Sequence, residues 1–105
     1  IHVSDLAKAH ILALDYLYNG GDNSIINLGL GKGYSVYDIV TAVEKIANDK
    51  INLNIMENRE GDPPVLITNA DKADLLLQWI PQYTRIDEII ETAWNWHAFQ
   101  NSLNK

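Results

Sequence analysis

Ser24-Ile25-Ile26-Asn27-Leu28-Gly29-Leu30-Gly31-Lys32-Gly33-Tyr34-Ser35 is the stretch on which the fold class turns. The β-branched pair Ile25 and Ile26 with Leu28 predicts a short strand, the three glycines predict a flexible loop, and Ser35 predicts a helix start. Strand, loop and helix in that order point to an α/β fold. They also invite comparison with a dinucleotide-binding turn, and the comparison fails. The fingerprint G-x-G-x-x-G needs glycine at position 34, where Tyr34 stands, and the short strand carries Asn27. A P-loop is excluded because the loop lacks a Gly-Lys-Ser/Thr ending. A structural turn is the better account, although the helix that opens after it can still present backbone N–H groups to an anion.

Downstream, Ser35 and Asp38 predict a capped helix from about Val36 to Asn48, with Val36, Ile39, Val40, Val43, Ile46 and Ala47 on one apolar stripe. Ile51-Asn52-Leu53-Asn54-Ile55-Met56 alternates with period two and predicts a half-buried strand. Asn58-Arg59-Glu60-Gly61-Asp62-Pro63-Pro64 follows as a turn just beyond that strand, a position where α/β scaffolds often carry binding residues. Val65-Leu66-Ile67 is a second short apolar run. Asn69 or Asp71 is expected to cap a short helix through about Gln78, which Trp79-Ile80-Pro81 ends. Thr84-Arg85-Ile86-Asp87 has the form of a capping box for a last helix, and residues 101–105 are expected to fray. The three tryptophans are expected to serve as core and lid material.

Upstream, Ile1-His2-Val3 reads as the end of a strand, so the chain looks cut at its start. Ser4 is the expected N-cap of a helix to Tyr18, closed by Asn19-Gly20. Asp5, Lys8, Asp15 and Asn19 form a narrow polar stripe on that helix, and the rest of its circumference is apolar. Leu6, Ala9, Ala13, Tyr16 and Leu17 can face one layer. Ala7, Ile11, Leu14 and Tyr18 need a second. His10 lies within the apolar arc and is expected to be a hydrogen-bonded core histidine.

With 105 residues, 47% of them hydrophobic, the chain suits one compact domain, residues 1–105. A net charge of -6 argues against a nucleic-acid partner, whose affinity rests on phosphate neutralisation. The absence of cysteine excludes disulfides and thiolate metal sites and points to an intracellular location. His2, His10 and His97 are too scattered for a metal motif, and no apolar run approaches the roughly 20 residues needed to span a bilayer, so neither a metal nor a membrane is expected.

No residues here make a self-sufficient active site, and no catalytic residue is assigned. Glu60 and Asp62 on a Gly-Pro turn suit solvation better than acid–base work, and no serine has a base and acid beside it in the pattern of a triad. Arg59 is the exception, because a guanidinium can grip a phosphate with two parallel hydrogen bonds.

Ile1-His2-Val3-Ser4-Asp5-Leu6-Ala7, Asn27-Leu28-Gly29-x-Gly31-x-Gly33-x-Ser35-Val36, Arg59-Glu60-Gly61-Asp62-Pro63, Ala70-Asp71-Lys72-Ala73 and Trp79-x-Pro81 occur here in that order. Together they resemble the carboxyl-terminal third of UDP-glucose 4-epimerases, NAD-dependent members of the extended short-chain dehydrogenase/reductase group. The resemblance implies a small α/β substrate-binding domain of about four helices with short strands, without the amino-terminal Rossmann domain that binds NAD and carries a Tyr-x-x-x-Lys pair. It implies a UDP-sugar as substrate, the missing Rossmann domain as partner, and a homodimeric, cytoplasmic full-length enzyme. By the same resemblance, Arg59 and Asp62 contact the diphosphate and ribose, and Val36 lies against the nucleotide. Leu66 stands where the family often has a tyrosine. The alternatives are another nucleotide-sugar dehydratase or decarboxylase of the same group, and a non-catalytic nucleotide-binding or interaction module.

Overall fold

Local sequence accounts for most helix ends before packing is considered. In the computed structural model, which describes residues 1–103, the helices are α1 (Val3–Tyr18), α2 (Val36–Ala47), α3 (Asp71–Leu77) and α4 (Ile86–Leu103). The α2 start is a complete capping box: Ser35 Oγ accepts from the Asp38 N–H at 3.1 Å, and the Asp38 carboxylate accepts from the Ser35 N–H at 2.8 Å. Asn48 closes the same helix in the left-handed region at φ 52°, a conformation asparagine tolerates. Asn19 and Gly20, the latter at φ 85°, close α1.

Other ends depart from expectation. The α1 cap is His2, not Ser4, because His2 Nδ1 accepts from the Ser4 N–H at 3.1 Å while its ring stacks on Tyr83 at 3.8 Å between centroids. A ring held by stacking presents its acceptor as a capping hydroxyl would. For α3 the cap residue is Ala70, and Asn69 instead accepts from the Asp71 N–H at 2.7 Å. Residues 101–103 continue α4 where fraying was expected, and Asn104 and Lys105 lie outside the described residues.

The expected α/β character is corrected. Among the described residues there is no strand, neither at 24–28, nor at 51–56, nor at 65–67. A strand exists only through a ladder of backbone hydrogen bonds, and no backbone-to-backbone bond pairs any of these segments with another. Period-two alternation persists at 24–28 without a ladder: Ile26 and Leu28 are half-buried, whereas Ile25 and Asn27 are exposed. At 51–56 every residue is exposed, so the alternation there has nothing to bury against.

The chain divides into two compact units. One joins Ile1–Gly33 to Ile67–Thr84 and packs α1 on α3. Ala9, Ala73, Leu77 and Trp79 are its buried centre, with Leu12, Ala13, Tyr16, Ile26 and Leu28 around them. The expected inner face of α1 is therefore met at Ala9, Ala13 and Tyr16 but not at Leu6 or Leu17, which stay exposed. Ala7, Ile11, Leu14 and Tyr18, the face that needs a second layer, are also exposed. His10 is exposed rather than in the core, with Nδ1 2.8 Å from the Leu6 carbonyl one turn back.

The other unit comprises Tyr34–Leu66 with the chain from Arg85, and packs α2 on α4. Ala42 is buried there, and Ile39, Val40, Val43, Ile46, Ile89 and Ile90 are half-buried, so the α2 stripe does face a helix. Glu44 accepts from Lys50 Nζ at 2.7 Å and from the Ile51 N–H at 3.1 Å. These two donors, Lys50 first, hold its carboxyl below the usual carboxylate range. Of the tryptophans only Trp79 is core; Trp94 and Trp96 on α4 are exposed. No helix among the described residues is long and apolar enough to cross a membrane.

Asp5 departs furthest from its expected place on a polar stripe. It is 1% exposed, and its two carboxylate oxygens accept from the Gln82 and Tyr83 N–H groups, each at 2.9 Å. Its carbonyl accepts from Trp79 Nε1 at 2.8 Å. Backbone N–H groups just after Pro81 have no helix to bond into and need acceptors of their own. We expect Asp5→Ala to cost about 3 kcal/mol or more in urea unfolding, since two charge-assisted bonds from part-buried donors and the packing of a buried side chain are lost. A loss below about 1 kcal/mol would contradict this assignment.

Candidate functional site

The turn at 58–64 is built by its own residues. Gly61 takes φ 87°, with open space where a Cβ would point, so its conformation rather than crowding calls for glycine. The Asp62 N–H donates to the Arg59 carbonyl at 3.2 Å and closes the turn. Closure brings the side chains together, and Arg59 Nε donates to Asp62 Oδ2 at 3.2 Å. Both side chains face solvent, Arg59 at 88% and Asp62 at 54% exposure. The bond uses Nε, so the end of the guanidinium formed by its two terminal nitrogens remains a fork suited to an anionic oxygen pair. Glu60, on the same turn, is exposed.

Val36 lies in the same unit but on another element, as the first residue of α2, and is 78% exposed. The structure thus joins Arg59 to Asp62 and sets Val36 at a helix start. That helix start is less open to an anion than its glycine-loop setting suggests. The Asp38 carboxylate already caps the Ser35 N–H and hydroxyl, each at 2.8 Å, and puts a negative charge where an anion would sit.

The glycine loop belongs to the first unit, and its glycines serve packing. A Cβ on Gly29 would come within 2.9 Å of Thr68 Cβ, and one on Gly33 within 2.8 Å of Ile67 Cδ1. A side chain at either position would have to displace Thr68 or Ile67, which is a packing reason for glycine there. The groove beside α1 lined by Tyr16, Leu17, Asp22 and Ile25 has one acid and no base among its lining residues, and so offers an anion no charged donor. Among the described residues no three His, Asp or Glu side chains gather as a metal site would require. Sequence reasoning missed Asp5 as the fixing point for residues 82–83. The one signal available was an acid in the first turn of α1.

No family model matches the chain. It is 48% identical over 101 residues to the UDP-glucose 4-epimerase of Rhizobium meliloti (strain 1021), an alignment that takes in 96% of this chain and 30% of that protein. In three dimensions it matches a crystal structure of UDP-glucose 4-epimerase with a TM-score of 0.89 at 46% identity, over 96% of this chain and 31% of the other. This chain is homologous to part of UDP-glucose 4-epimerase. A second epimerase structure, from Bifidobacterium longum in complex with NAD+ and UDP, matches with a TM-score of 0.81 at 36% identity, over 93% of this chain and 29% of that one. The chain spans about 30% of the length of the curated epimerases it matches.

The turn geometry separates two neighbouring residues. Gly61→Ala should cost about 1 kcal/mol in chemical denaturation, because an L side chain is forced into the left-handed region. Glu60→Ala should change stability by no more than about 0.5 kcal/mol. Equal effects at the two positions would contradict the conformational role of Gly61.

Proposed function

We propose that this chain is the carboxyl-terminal, substrate-side part of an NAD-dependent epimerase that interconverts UDP-galactose and UDP-glucose, and that it carries no catalytic residue itself. The observation that carries the reading is the 48% identity to an epimerase across 96% of the chain. The likeness to a structure in complex with NAD+ and UDP supports a nucleotide ligand.

In this reading Arg59 binds the diphosphate, Asp62 accepts from the ribose hydroxyls, and Val36 lies against the nucleotide. NAD binds to the rest of the full-length protein, in its Rossmann domain. Epimerisation at a sugar carbon requires the sugar to turn over while the nucleotide stays in place. Binding energy placed on the diphosphate, away from the reacting carbon, meets that requirement. The exposed face of α1 at Ile11, Leu14 and Tyr18 suits cover by the Rossmann domain, and the full-length protein is read as a cytoplasmic homodimer.

Arg59→Ala in the full-length protein is expected to weaken UDP binding by about tenfold or more, following the strength of charged hydrogen bonds. Isothermal titration with UDP measures it, and an unchanged Kd would remove Arg59 from the site.

A further inference from the structure

Asn19-Gly20 closes α1 and is also the one Asn-Gly pair in the sequence. That dipeptide has a chemistry of its own, because glycine carries no side chain to crowd its backbone nitrogen, and the asparagine Cγ lies within reach of that nitrogen by closure of a five-membered ring. Both residues are exposed, so water reaches them. In the folded helix the cap holds the reacting atoms apart. The Gly20 N–H donates to the Leu17 carbonyl at 3.1 Å, and the Asn19 side-chain amide donates to the Asp15 carbonyl at 2.8 Å, so nucleophile and electrophile are both tied to α1. At ψ 15° the Gly20 nitrogen nearly eclipses the Asn19 nitrogen, whereas ring closure needs it to eclipse the Asn19 Cβ. Gly21 reinforces the arrangement: its N–H donates to the Tyr16 carbonyl at 2.9 Å, and the Tyr16 ring fills the space where a Cβ would stand.

We propose that Asn19-Gly20 is a self-modification site controlled by the C-cap of α1, converting to aspartate or isoaspartate only when the last turn of the helix opens. In the open turn the Gly20 nitrogen attacks the Asn19 Cγ and forms a cyclic imide. The bond from Cγ to the side-chain nitrogen breaks, and that nitrogen takes the proton lost by Gly20 and leaves as ammonia. Water then adds to either imide carbonyl, the ring opens, and the new carboxyl gives its proton to solvent. The product undoes the cap. It has lost the donor to the Asp15 carbonyl, and it sets a negative charge at the negative end of the helix dipole, where the last turn of α1 has no basic residue. In the aspartate product that charge also stands one turn from Asp15, a like-charge pair at i,i+4. Each conversion therefore favours further opening, and residue 19 keeps an irreversible record of how often this end of the helix has frayed.

The test incubates the full-length protein in mildly alkaline buffer, folded and in urea, and follows residue 19 by peptide mapping for replacement of amide by carboxyl and for isoaspartate. In urea, Asn19 should be the first asparagine of residues 1–105 to convert. It should convert about tenfold or more faster in urea than in the folded protein, a factor set by the loss of two hydrogen bonds. Equal rates in the two states, or another asparagine of this stretch reacting first in urea, overturns the proposal. The consequence for the cap is read separately by hydrogen exchange at the amides of residues 19–21, with Asn19→Asp standing for the aspartate product and Asn19→Ala for loss of the donor without added charge. Exchange should be about fivefold faster than the parent in Asn19→Asp and less accelerated in Asn19→Ala. Exchange in Asn19→Asp no faster than in the parent overturns the claim that the product opens the helix end.

Discussion

The carboxylate of Asp5 is the interaction on which the first unit depends. One buried acid in the first turn of α1 accepts from two successive backbone N–H groups, those of Gln82 and Tyr83, and its carbonyl accepts from the Trp79 indole. Three bonds from one residue thus fix the segment that follows α3. Trp79 can be 1% exposed because the only polar atom of its side chain has a partner. Tyr83, held by the same carboxylate, stacks on His2, and His2 caps α1. The circuit closes on itself: the helix that carries Asp5 is started by a ring that Asp5 helps to position.

The turn at 58–64 works on the opposite principle. Nothing buries it, and its order comes from one backbone bond, one left-handed glycine and one ion pair between exposed side chains. Exposed ion pairs contribute about 0–1 kcal/mol, so this pair adds little to stability. The contrast with Asp5 is one of burial: the same type of side chain is a buried acceptor of backbone donors in one unit and half of an exposed ion pair in the other.

Much of this was legible in the sequence wherever the cause was local. The capping box of Ser35 and Asp38, the stop at Asn19-Gly20 and the apolar stripe of α2 depend on residues within a few positions of one another, and they fold as read except that Val36, at the start of the stripe, is exposed. Features that depend on distant residues were not legible. Asp5 reads as part of a polar stripe on a helical wheel, and only the arrival of residues 82–83 makes it a buried acceptor. His10 lies in an apolar arc, but that arc is wider than the face α3 covers, so the histidine stays outside. The apolar runs at 24–28 and 51–56 have strand composition and no ladder, because composition supplies the pleat and only a neighbouring chain segment supplies the bonds. At the candidate site, Arg59 could be singled out by charge alone, whereas its pairing with Asp62 needed the turn to be seen closed.

Homology to part of UDP-glucose 4-epimerase sets the frame for these residues, and the decisive question is the reaction of the full-length protein. The most direct measurement is to incubate that protein with UDP-galactose and follow the sugar by nuclear magnetic resonance. The account predicts inversion at C4 alone, giving UDP-glucose with the nucleotide and every other carbon intact. Loss of water or of a carboxyl group from a nucleotide-sugar, with no inversion of UDP-galactose, would contradict it.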